Sequence, residues 1–146
     1  MKIRRGIITV GLALIAFALL SGCDESTEAH LKLVEFTEGV ADSGYVYLDV
    51  TIENAGNGSA REVSCLITIK EDRTDTVLTE ITAYFDKGGI IEPDEQVTER
   101  VLLLYNPEML DLLIQYEEKT DEDGNTVEVP LEPIIYRSFE LDWQEV

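Results

Sequence analysis

The sequence predicts an all-β domain, an antiparallel β-sandwich of about seven or eight short strands. Three observations carry that prediction. Apolar residues recur with period two along most of the chain, as in half-buried strands. Clusters of Gly, Pro, Asn and Asp break the alternation at short intervals. Hydrophobic residues make up 45% of the 146 residues, enough for a real core despite a formal charge of −19, so the acidity reads as a solvated surface rather than as disorder. One domain of ordinary size fits this length.

The first element is an address. Lys2, Arg4 and Arg5 form a positive region, and Ile7 to Leu20 is an apolar run of 14 residues, short of the roughly 20 that a membrane-spanning helix needs. The run ends in Leu20-Ser21-Gly22-Cys23, which resembles the lipobox of bacterial and archaeal lipoproteins. That resemblance implies lipid attachment at the Cys23 thiol and cleavage just before it. Lipidation fits the chemistry, because a thiolate is the nucleophile such a transfer requires. Residues 1–22 are accordingly read as a lipoprotein signal peptide, and Arg4-Arg5 leaves both general secretory and twin-arginine export open. Residues 23–29 read as an acidic tether giving a clearance of roughly 20 Å, and residues 30–146 as the sandwich domain.

Leu31–Phe36 is the first expected strand. Tyr45–Asn54 alternates almost ideally, with Val46, Leu48, Val50 and Ile52 on one face. The turn formers Asn54-Ala55-Gly56-Asn57-Gly58-Ser59 follow, too many for a tight hairpin, so the next strand either pairs back or crosses to a second sheet. That strand points Val63, Cys65, Ile67 and Ile69 inward. Further strands are expected at Thr76–Phe85, Gln96–Tyr105, Leu110–Lys119, Thr126–Leu131 and Ile134–Trp143, with breakers at Lys87-Gly88-Gly89, Pro93-Asp94, Asn106-Pro107, Asp123-Gly124 and Pro130/Pro133. Asn106-Pro107 also supports one helical turn, Asn as the cap and Pro at the first helical position. A strand with Leu110, Leu112, Ile114 and Tyr116 on one face is the alternative.

Val50-Thr51-Ile52-Glu53-Asn54-Ala55-Gly56, with Ala60, Val63 and the later Ile91-Glu92-Pro93-Asp94-Glu95, resembles the Ig-like modules of prokaryotic surface proteins of the CARDB and FxLYD types. The resemblance covers about half of the residues after Cys23. It implies an Ig-like sandwich that binds or spaces and carries no catalytic residues. The glycine usual in the later turn of that pattern is here Asp94.

Charge excludes several partners. Without residues 1–22 the chain holds 8 basic and 30 acidic residues, a formal charge of −22. Nucleic acids and other polyanions are therefore not expected as partners. No nucleophile elbow, P-loop, H-E-x-x-H or C-x-x-C occurs, so no enzyme and no cofactor are expected. With Cys23 on lipid, Cys65 is left alone as a small core hydrophobe, and His30 reads as an exposed residue of the first strand. Asp121, Asp123 and Asn125 offer hard oxygens to Ca²⁺, but a hairpin tip explains the same residues, with Asp-Gly supplying the turn, and no metal is assigned. Asn57-Gly58-Ser59 is a glycosylation acceptor motif. Tyr45, Tyr47 and Tyr84 fall on outward faces, where aromatics either anchor a partner or pack across strands. The functional expectation is a non-catalytic module, lipid-anchored on the extracytoplasmic face of the membrane, that binds another protein or serves a surface complex. The alternatives are a cation-dependent adhesion or ligand-binding module and a passive envelope component.

Overall fold

A computed structural model describes residues 27–146 and, for Ile3–Thr9, the backbone path. Cys23 and residues 10–22 of the expected leader lie outside the described residues. The domain is an all-β antiparallel sandwich. Ile3–Thr9 is β1; nine strands follow, β2 (Leu31–Val40), β3 (Val46–Asn54), β4 (Ala60–Glu71), β5 (Thr76–Tyr84), β6 (Ile90–Ile91), β7 (Gln96–Leu102), β8 (Gln115–Thr120), β9 (Thr126–Leu131) and β10 (Ile135–Glu145). A single helical turn, α1 (Glu108–Asp111), precedes β8.

One sheet has the order β1-β10-β4-β5 with β6 added beside β4; the other is β2-β3-β7. The chain therefore changes sheet between β3 and β4, which is why five turn residues stand between them. Val63, Cys65, Ile67 and Ile69 of β4 are fully buried, as their alternation predicts, and they face Leu48, Val50 and Ile52 of β3 within one core. Register aligns the inward rows: Cys65 lies between Leu141 and Ala83, and Ile67 between Phe139 and Ile81. Phe36 of β2 closes the seam between the sheets, its ring centroid 5.0 Å from that of Phe139. Among the described residues, twenty buried apolar residues between Ala29 and Trp143 form this one core.

Three register shifts interrupt the simple period-two reading, one of them in β5, where Leu78 is the extra residue. In β2, Leu33 pairs with Ile52 but Glu35 with Thr51, so Val34 is the extra residue. Inward positions switch from Leu31 and Leu33 to Phe36, and the strand continues to Val40 instead of ending at Phe36. In β4, Glu62 and Val63 together stand opposite Trp143, and Glu62 takes φ 50° to make room. The β4–β5 turn is held by Glu71, buried at the end of β4. Its carboxylate accepts from the amides of Arg73 (3.1 Å), Thr74 (2.7 Å) and Ile134 (3.0 Å) and from the Thr74 hydroxyl (2.6 Å). The Thr74 hydroxyl and these amides hold that carboxyl down at about 2.

Part of the segment read from the sequence as a tether is packed. Thr27–Ala29 belong to the domain: Ala29 is buried, Glu28 N–H donates to Asn57 Oδ1 (3.0 Å), and the amides of Asn57 and Gly58 donate back to the Glu28 carbonyl. The segment packs this closely because Gly56 and Gly58 leave room for its backbone, which composition alone does not reveal.

Candidate partner-binding surface

Most of what the sequence singled out lies at two opposite ends of the sandwich. At one end is the loop after β3, organised by Asn54. Its side chain is fully buried and makes four hydrogen bonds: Oδ1 accepts from His30 N (3.0 Å) and Gly56 N (3.1 Å), and Nδ2 donates to the carbonyls of Gly58 (2.7 Å) and Ile91 (3.1 Å). Gly56 is required by close approach, since a Cβ there would stand 2.1 Å from the Glu28 carbonyl oxygen. Asn57 is exposed, and its amide oxygen already receives Glu28 N–H. Ser59, the third residue of the acceptor motif, donates its hydroxyl to Glu92 (2.5 Å).

At the other end the chain leaves β7 through α1 and enters the β8–β9 hairpin. Asn106 caps the turn as expected, its Oδ1 accepting Met109 N–H at 3.2 Å. Leu110 and Leu112 thus belong to the helical turn and the residue after it, and the alternative strand over them does not form. β8 and β9 form a two-stranded sheet of their own, all six residues of β8 exposed. An isolated hairpin is marginal in water without a covering surface. Just past its base, Arg73 Nε donates to the Glu132 carbonyl (3.0 Å) and the Ile134 amide donates to the Glu71 carboxylate (3.0 Å). Along the chain from the end of β7 into β8, apolar side chains are exposed: Leu104 at 65%, Leu112 at 85% and Tyr116 at 62%. Exposed apolar residues on a chain this acidic make this end the candidate interaction surface.

The hairpin tip is the place considered for Ca²⁺. Asp121 Oδ1 accepts from the amides of Asp123 (3.0 Å) and Asn125 (2.8 Å), and Gly124 takes φ 83°. The carboxylate is thus engaged in shaping the turn. Among the described residues no group of three His, Cys, Asp or Glu side chains is placed to hold a metal ion.

No family model matches this sequence, and no curated protein matches it. Three chains of solved structures do. One is a structural genomics target, 13% identical, matched over 75% of this chain and 83% of the other with a TM-score of 0.35. A second is the Bordetella pertussis protein assigned as ApaA, 16% identical, matched over 74% of this chain and 93% of the other with a TM-score of 0.36.

The remaining side chains fall as follows. Tyr84 is well exposed and Tyr45 moderately so. Tyr47 is covered by Arg100, whose guanidinium carbon sits 4.0 Å from the ring centroid. Arg100 also forms a two-pronged pair with Asp49, 2.7 and 2.8 Å, whose hydrogen bonds hold the Asp49 carboxyl below its ordinary value. Sequence reasoning missed Arg100 because only the β3–β7 register, Asp49 opposite Arg100, brings it to Tyr47. Cys65 is fully buried, and burial pushes its thiol up to about 12. No helix among the described residues is long and apolar enough to cross a membrane.

Proposed function

We propose that this chain is a lipid-anchored extracytoplasmic module that binds another protein as an accessory part of a surface or membrane complex, without catalysing a reaction. One observation carries the reading: a hairpin that pairs only with itself, with Tyr116 exposed on β8 and Leu104 and Leu112 exposed on the chain that leads into it. Apolar surface of this kind is stabilised when a partner covers it. The Leu20-Ser21-Gly22-Cys23 motif supports the anchor. Strong negative charge favours a partner with a basic rim, because complementary charge speeds encounter and fixes orientation.

The test is affinity capture of the detergent-solubilised protein from its native membranes. It is run beside a Cys23→Ser variant and a variant in which Gln115–Leu131 is replaced by a short Gly-Ser linker. The reading expects a partner that is saturable, retained by the intact chain and lost with the hairpin. Recovery of the same partner by the hairpin-less variant refutes the hairpin as the binding element. Unchanged membrane retention of Cys23→Ser refutes the lipid anchor.

A further inference from the structure

β10 is the strand on which leader and domain meet. One edge pairs with β4 from Ile135 to Glu145. The other pairs with Ile3–Thr9 in continuous antiparallel register, Ile3 opposite Gln144 through Thr9 opposite Ser138, with no bulge on that side. The same segment approaches β2, so it lies along the seam between the two sheets. Cleavage before Cys23, as proposed above, removes it and leaves seven positions of β10 open.

From Ser138 to Gln144 that edge has no Pro and no Lys, and its residues are Ser-Phe-Glu-Leu-Asp-Trp-Gln, so its charge is wholly negative. Phe139, Leu141 and Trp143 face the core, and Ser138, Glu140, Asp142 and Gln144 alternate with them. A second copy is a poor occupant. Opposite residues in one sheet share a face, so antiparallel pairing of two β10 strands with long overlap sets Glu140 against Glu140 or against Asp142, and like charges directly opposite destabilise a pair. A basic strand is a good one: in the observed register Arg5 stands opposite Asp142, Gly6 opposite Leu141 and Ile8 opposite Phe139.

We infer that the Ser138–Gln144 edge of β10 is a strand-acceptor site. After leader removal it takes an extended partner segment in antiparallel register, with a basic residue opposite Asp142 and small or apolar residues opposite Leu141 and Phe139. Main-chain hydrogen bonds supply the affinity and the alternating side chains the selectivity, as in β-strand addition generally. The inference rests on the cleavage and partner-binding reading given above and names the partner's chemistry.

The probe is a synthetic peptide of residues 2–10, Lys-Ile-Arg-Arg-Gly-Ile-Ile-Thr-Val, added to the purified chain that begins at Cys23. Amide exchange at residues 138–144 reports the site, and fluorescence anisotropy of labelled peptide reports affinity. Saturable binding with slowed exchange confined to that edge is expected. Arg5→Glu in the peptide weakens binding about tenfold, the size expected when an attractive cross-strand pair becomes repulsive. Gly6→Pro abolishes it, since Pro lacks the donor and the conformation. In the domain, Asp142→Lys restores binding of the Arg5→Glu peptide. Because the peptide variants leave the domain untouched, they test the site even if Asp142→Lys fails to fold. Unchanged exchange under saturating peptide overturns the inference, as does equal binding of the Arg5→Glu peptide. Concentration-dependent protection of 138–144 without peptide also overturns it, in favour of a second copy. Peptide protection together with an empty native-membrane capture keeps the acceptor edge and removes the protein-binding function. A captured partner without peptide protection does the reverse.

Discussion

Replacing Asn54 tests whether one side chain holds the loop end of the sandwich together. Its four hydrogen bonds join the residue just before β2, the β3–β4 loop and β6. Each contributes about 1 kcal/mol net, so Asn54→Ala is expected to destabilise by about 4 kcal/mol, a large part of the 5–15 kcal/mol typical of a domain. Asn54→Asp separates polarity from shape. One carboxylate oxygen replaces Nδ2, 2.7 Å from the Gly58 carbonyl and 3.1 Å from that of Ile91, where two donors become a charged acceptor. The Asp variant is therefore less stable than the Ala variant at pH 8. Its folded-state carboxyl is raised, so it binds a proton more readily folded than unfolded and regains stability as pH falls toward 5. Urea unfolding followed by the fluorescence of Trp143, the single tryptophan and a core residue, measures both variants. At a slope of about 2 kcal/mol per molar urea, the Ala midpoint drops by about 2 M. A loss below about 1 kcal/mol for Ala, or an Asp variant as stable as the native chain, refutes the assignment.

Glu71 predicts an acid transition. Its folded carboxyl lies at about 2 against an ordinary 4.5, so the unfolded chain binds the extra proton. The stability it provides is full above about pH 4.5 and is lost as pH falls toward 2; Glu71→Gln should flatten that part of a stability-against-pH curve, and an unaltered slope contradicts it. Cys65, buried and with its thiol at about 12, should react with a thiol reagent only as fast as the domain unfolds, and rapid labelling of the native chain refutes its burial. Gly56→Ala should lower stability by about 1–3 kcal/mol by pushing the Thr27–Ala29 segment off the loop, a change that faster amide exchange at Glu28 and His30 would show. Millimolar Ca²⁺ should leave the thermal midpoint unchanged, because the Asp121 carboxylate already serves its own turn; a rise of several degrees would place an ion there.

How far the sequence could be read depends on the range of the interactions. Strands whose alternation is undisturbed, Val46–Asn54 and the stretch through Val63, Cys65, Ile67 and Ile69, were legible because a single face decides them. The Asp-Gly hairpin tip and the Asn106 cap were legible because their chemistry is local. Phe36 was not, since a bulge at Val34 changes which parity faces inward and no turn residue announces it. β6 has only Ile90 and Ile91 and exists because β4 offers Ala60 and Arg61 to pair with. Asn54 and Glu71 read as an ordinary turn former and an ordinary acid; their importance lies in partners 24 to 63 residues away. The exposed hairpin was predicted as two strands, but nothing in its pattern says that no sheet would cover it.

The docking of Thr27–Ala29 against the loop after β3 has a consequence for geometry at a bilayer. Only Asp24, Glu25 and Ser26 separate Cys23 from the packed segment, a reach of at most about 14 Å. A lipid on Cys23 would hold the loop end of the sandwich down at headgroup level, with the acidic domain pushed outward by any anionic lipid beneath it. The hairpin starts from the opposite pole, so its base lies at the end of the sandwich farther from the membrane. Height and polarity are then set by three residues, and lengthening that short stretch would loosen both at once.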